Sequence, residues 1–91
     1  MMADELCCYP TVCRNITARI LTANPEAHSR EGDENDVEHT LWMIEQLQFF
    51  TRQDKIDRWL GWILSKAHTM GLLTLKEAHD LAHRDRLQAS K

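Results

Sequence analysis

Glycine, proline and long apolar runs are scarce in this chain: 91 residues hold three glycines and two prolines. Three glycines cannot build a phosphate-cradling loop, and neither G-x-x-x-x-G-K-[ST] nor G-x-G-x-x-G occurs. No Ser-His-Asp elbow is found either. No apolar run approaches the ~18 residues a membrane-spanning helix needs, and there is no polybasic patch. The start, MMADELCCYP, is acidic and lacks the positive n-region and apolar h-region of a secreted precursor. Three cysteines are an odd number, and the adjacent Cys7 and Cys8 are a poor disulfide pair, which suits a reduced cytoplasmic setting. Period-two alternation is missing, and with it any strand signal.

What remains is an ordinary soluble composition, 27% charged and 43% hydrophobic, in a length that suits one small domain over residues 1–91. The charge is uneven. Residues 1–51 carry three basic and nine acidic side chains, net −6, and residues 52–91 carry eight basic and five acidic, net +3. Five of the acids, Glu31, Asp33, Glu34, Asp36 and Glu38, fall within eight residues. They read as a solvated loop leading into a helix N-terminus that favours negative charge, or as an acidic surface for a basic partner.

Helical periodicity organises the chain. Residues 51–71 are the central helix: Ile56, Trp59, Leu60, Ile63, Leu64, Ala67 and Met70 recur at three- and four-residue steps. Thr51 and Asp54 have capping-box spacing at its start, and Gly71 marks its end. Gly61 costs roughly 1 kcal/mol against alanine inside a helix, so a second helix is expected to cross closely there. Before it, Pro10 opens a helix with Val12, Cys13, Ile16, Ile20 and Leu21 on one face, ended by Asn24-Pro25. Residues 24–35 read as a polar loop. A helix from about 35 or 36 to 50 carries Val37, Leu41, Ile44, Leu47 and Phe50, and its short link to the central helix favours an antiparallel pair. Thr74-x-x-Glu77 starts a last helix using Leu75, Ala78, Leu81 and Ala82. Residues 1–9 and 88–91 read as poorly ordered, apart from local contacts of Leu6 or Tyr9. The expected fold is all-α, a small bundle of three main helices with a shorter or weaker fourth.

Two constellations could hold a metal. His79 and His83 share a helix face in HDLAH, but Asp80 replaces the glutamate of H-E-x-x-H and a third ligand is lacking. They read as exposed histidines. Cys7, Cys8 and Cys13 read as idle or buried thiols, since adjacent cysteines chelate poorly. No catalytic residue, cofactor or metal is assigned, and the chain does not read as an enzyme.

The aromatics are the better signal. Trp42, Phe49, Phe50, Trp59 and Trp62 all lie in the two central helices. Trp62 is turned about 300° from Trp59 and so borders the apolar stripe. One of Trp42 and Trp62 is expected at an exposed edge, where tryptophan anchors partners, and that aromatic and the acidic 31–38 segment would carry recognition. Arg52, Lys55, Arg58 and Lys66 decorate the central helix and would serve a nucleic-acid partner in the alternative reading.

Arg58-Trp59-Leu60-Gly61-Trp62-Ile63, followed by Met70-Gly71-Leu72, Thr74-Leu75 and Glu77, resembles short helical proteins from the early regions of tailed bacteriophages and prophages. Those carry an R-W-L-G-[FW]-[IV] helix, a glycine stop and a [ST]-[LIV]-x-E helix start. The resemblance spans about residues 55–80; Trp62-Ile63-Leu64 and the HDLAH segment depart from it. It implies a bacterial host cell and a protein that binds and redirects a host factor such as a nuclease, restriction or CRISPR machinery, or a polymerase. A homodimer in which two helical hairpins form one bundle is a third reading.

Overall fold

The computed structural model describes residues 6–31 and 36–89, with the side chain of Asp36 excepted. Among them it is all-helical, with α1 (Pro10–Ala23), α2 (Asp36–Leu47), α3 (Gln53–Thr69) and α4 (Leu75–Ala89). Asp33 and Glu34, with the rest of the 32–35 stretch, lie outside the described residues. The molecule measures 45 × 27 × 18 Å. α2 packs on α3, α1 packs on α4, and the two pairs meet where α1 touches α2. Val12, Ile16 and Ile20 of α1, Leu47 of α2, and Ile56 and Ile63 of α3 are fully buried and form the seam of the core.

Local chemistry explains most helix ends. Gly71 adopts φ +76°, the Leu72 N–H reaches the Ala67 carbonyl at 2.9 Å, and the Gly71 N–H reaches that of His68 at 3.0 Å. This is a Schellman cap, which satisfies carbonyls that α3 would leave open. Thr74 and Glu77 form a reciprocal capping box: Glu77 Oε1 accepts from the Thr74 N–H and Thr74 Oγ1 from the Glu77 N–H, both at 3.1 Å. At the end of α2, the amides of Gln48, Phe49 and Phe50 turn to carbonyls three residues back, and the helix stops at Leu47 rather than Phe50.

Three expectations need correction. Thr51 does not cap α3. The N-cap is Arg52, in an extended conformation and with no side-chain cap, and the Asp54 carboxylate is held instead by the Arg52 guanidinium at 2.8 and 3.1 Å. Gly61 is exposed, and a Cβ built there would meet nothing within 4 Å, so no helix among the described residues crosses it. Gly61→Ala is therefore expected to raise stability by about 0.5–1 kcal/mol, read as a higher urea midpoint. A loss instead would mean that a neighbour does approach. Lastly, residues 7–9 are packed rather than loose: Cys7 and Tyr9 belong to the buried core.

The α1–α4 pair is held in antiparallel register by two polar contacts. Asp85 accepts from the amides of Thr11 and Val12 at the start of α1, while Arg19 forks onto the Glu77 carboxylate at 2.9 and 3.3 Å and onto the Leu72 carbonyl at 2.7 Å. Thr11 to Arg19 and Glu77 to Asp85 are equal steps of eight residues, about 12 Å of helix. The Arg19 hydrogen bonds, followed by that of the Thr74 amide, hold the Glu77 carboxyl down at about 2 against an ordinary 4.5. A depressed acid stabilises the fold above its unfolded pKa, and that contribution disappears as the pH falls from 4.5 towards 2. Glu77→Gln should accordingly show a smaller loss of urea midpoint between pH 6 and pH 3 than the parent. Equal slopes would remove Glu77 from the acid response.

Candidate interaction surface

The aromatic side chains of α2 and α3 converge. Trp59 lies at the centre: its ring is 4.7 Å from Phe50 in an edge-to-face contact, 5.9 Å from Trp42 and 6.0 Å from Trp62. His39, one turn before Trp42, stacks on it at 5.5 Å with the planes 19° apart. Lys55 Nζ sits 4.3 Å above the Phe50 ring. Trp42, Phe50 and Trp59 are half-buried against the core, whereas Trp62 is 54% exposed and Phe49 77%. Of the two candidate anchors, then, Trp62 is the exposed one and Trp42 the inner support. Aromatic contacts of this kind hold rings in place beyond their simple area burial, so Trp62 is displayed on an ordered base.

Helix geometry fixes what surrounds it. At 100° per residue, Lys55, Arg58 and Lys66 all fall within about 40° of Trp62 on α3. The nearest acids on that helix are about 80° and 140° away, and both are engaged: Asp54 by Arg52, Asp57 by Arg86 and Tyr9. Arg58 is exposed and Lys66 half-buried. Of the four basic residues singled out in the sequence, Arg52 is thus tied to its neighbour and Lys55 to an aromatic ring.

The acidic group is not assembled as a single surface among the described residues. Glu38 is turned to the preceding loop, accepting from the His28 amide at 3.0 Å and pairing with Arg30 at 3.4 Å. Glu45 accepts from Ser29 Oγ at 2.9 Å. Glu31 is exposed. An open concavity of about 360 Å³ lies between the end of α1 and the start of α2, lined by Asn24, Pro25, Glu26, Ala27, Val37 and Glu38. Asn24 already donates to the Ile20 carbonyl, so two of its polar walls serve the fold.

The cysteines and the α4 histidines lie apart from this surface. Burial pushes the Cys13 thiol up to about 12 and raises that of Cys7, so both stay protonated and weakly nucleophilic at neutral pH. His79 and His83 are exposed on α4, and no three His, Cys, Asp or Glu side chains among the described residues are placed to hold a metal ion. No helix among them is long and apolar enough to cross a membrane.

One arrangement has no sequence signal at all. The Gln53 side-chain amide pairs with the Cys7 backbone, accepting from its N–H at 2.7 Å and donating to its carbonyl at 3.0 Å. Gln53 also donates to Asp57 at 2.9 Å, Asp57 accepts from the Tyr9 hydroxyl at 2.7 Å, and Arg86 donates to both Tyr9 and Asp57. His39 had a local clue, since a ring three residues before Trp42 shares its helix face.

Comparison of the chain with protein-family models, curated proteins and solved structures gives no match. The functional reading therefore rests on this surface.

Proposed function

We propose that this chain is a non-enzymatic binding protein of phage or prophage type that modulates, in the direction of inhibition, a bacterial host protein. The observation that carries the reading is Trp62, half exposed yet braced on Trp59. An anchor already held in its binding position loses little side-chain freedom on docking, and tryptophan is the residue type most enriched among binding hot spots. Such a surface recognises a protein without needing catalytic groups. The phage setting is drawn from the resemblance of the 58–77 segment alone.

Affinity capture of the tagged protein from nuclease-treated bacterial lysate, with wild type, Trp62→Ala and Trp42→Ala in parallel, tests this. Trp62→Ala should keep its thermal midpoint and lose the captured host protein, with an affinity drop of about 30-fold or more for a hot spot of about 2 kcal/mol. Trp42→Ala should lose stability first, because its ring supports the core. A captured protein that is retained by Trp62→Ala would sink the proposal. A second reading, a small nucleic-acid-binding module, draws on Lys55, Arg58 and Lys66 sharing the Trp62 side of α3. It predicts nuclease-sensitive capture and binding that weakens steeply with salt.

A further inference from the structure

We infer that the α2–α3 aromatic face takes an acidic amphipathic segment of a partner protein: an apolar side chain against Trp62, with carboxylates reaching Lys55 and Arg58. This rests on the reading that the face binds protein, and adds the chemistry of what it binds.

Basic side chains flank an apolar anchor on this face. The chain carries a net charge of −3, yet the sector of α3 around Trp62 holds Lys55 and the exposed Arg58 and no acid. Of the carboxylates nearest Trp42 on α2, Glu38 is paired with Arg30 and Glu45 is turned to the Ser29 hydroxyl, so the charges closest to Trp62 on α3 are those of Lys55 and Arg58. Lys55 is also held in place, its ammonium over the Phe50 ring, so a carboxylate would meet a positioned cation rather than a freely waving one. A basic segment would be repelled here. Nucleic acid fits less well than an acidic peptide. The indole rings of Trp42, Trp59 and Trp62 lean on one another at 42–45° rather than standing open for successive bases to stack, and the overall charge is of the repelling sign. An acidic peptide needs only one anchor and a pair of cations, which Trp62, Lys55 and Arg58 supply.

The test is a selection of random helical peptides displayed against the immobilised full-length protein. Binders are then measured on wild type, Trp62→Ala, Arg58→Glu and Lys55→Glu/Arg58→Glu, with oligothymidylate as a separate probe. Arg58→Glu is the primary charge variant because Arg58 is exposed; the double variant also removes the Lys55–Phe50 contact. The expected result is peptides rich in Asp and Glu around one or two apolar residues, bound at least about tenfold more weakly by Trp62→Ala and by Arg58→Glu and weakened by added salt. Neutral or basic peptides that need Trp62 but ignore Arg58→Glu would overturn the charge inference and leave the protein-binding reading standing. Peptides that bind Trp62→Ala as well as wild type, or a selection with no Trp62-dependent binder, would overturn both. So would salt-sensitive oligothymidylate binding without peptide binding. A dimer in light scattering that Trp62→Ala dissociates would replace the acidic segment with a second copy of the chain.

Discussion

Tyr9→Ala is expected to lower stability by about 3–5 kcal/mol, the range for deleting a large buried aromatic side chain. Tyr9 is only 3% exposed, and its ring sits in the same core cluster as Val12 and Ile56. Its hydroxyl is also a junction, donating to Asp57 at 2.7 Å and accepting from Arg86 Nε at 2.8 Å, so α3 and α4 are tied through the residue that immediately precedes α1. Truncation leaves a cavity and removes the bridge between the N-terminal segment and two helices. Small domains of this size have about 5–15 kcal/mol in total, so the variant should melt many degrees lower. Tyr9→Phe separates the two contributions: it keeps the ring and should cost about 1 kcal/mol, a typical net hydrogen bond. Tyr9 holds φ +52°, and alanine does not relieve that strain because it too has a Cβ. Urea unfolding gives the measurement. A loss under 1 kcal/mol for Tyr9→Ala would mean residues 6–9 are not part of the cooperative unit.

The same site has a pH signature. Burial, and then the hydrogen bond to Asp57, push the Tyr9 phenol up to about 12 from an ordinary 10. The fold therefore favours the neutral phenol. Its contribution is complete below pH 10 and is lost as the pH rises towards 12. The alkaline loss of stability should be shallower in Tyr9→Phe than in the parent.

Asp85→Ala is expected to cost about 2–3 kcal/mol, more than an ordinary helix cap. α1 begins with no side-chain cap of its own, since Tyr9 in the N-cap position has no oxygen that can reach back. Pro10 has no N–H to satisfy, and the next two amides, of Thr11 and Val12, donate to the two Asp85 carboxylate oxygens at 3.2 and 3.0 Å. Asp85 is 2% exposed. Its charge also faces the positive end of the α1 dipole. Alanine would leave the Val12 amide buried and unpaired. Asp85→Asn should cost less, because one acceptor oxygen survives, but an amide nitrogen would then face the second N–H. Hydrogen exchange gives an independent readout: the Thr11 and Val12 amides should exchange faster in both variants, with the middle of α3 less affected. Unchanged protection at those two amides would show that water or another group caps α1 equally well.

The residues that could be read correctly in advance are those whose partners are close in sequence. Gly71 stops α3 because only a residue without a Cβ takes a left-handed conformation at little cost, and the Thr74–Glu77 box closes within three residues. Thr51–Asp54 had nearly the same local pattern and failed. Arg52 captured the Asp54 carboxylate from two residues away, and the helix began later, at Gln53. A capping pattern states what a side chain can do, not what competes for it. The tight-crossing expectation for Gly61 failed for a related reason: periodicity tells that a glycine weakens a helix, not whether a neighbour lies beside it. The candidate surface shows the same division. That Trp62 borders the apolar stripe follows from its spacing to Trp59. That it is uncovered depends on α3 taking α2 as its main helical partner.

Sequence alone thus determined an all-α chain, the extent of α1, the stop of α3, the start of α4 and the aromatic wealth of the central pair. Each is a matter of local propensity or of three- and four-residue periodicity, where the interacting groups are neighbours along one helix. Only the tertiary structure decided that Asp85 caps α1 from 73 residues away, that Tyr9 and Cys7 enter the core, and that Trp62 rather than Trp42 stands out from it. Those outcomes depend on which helix faces meet and on side chains finding partners across the fold, and a distance through space leaves no period in a chain.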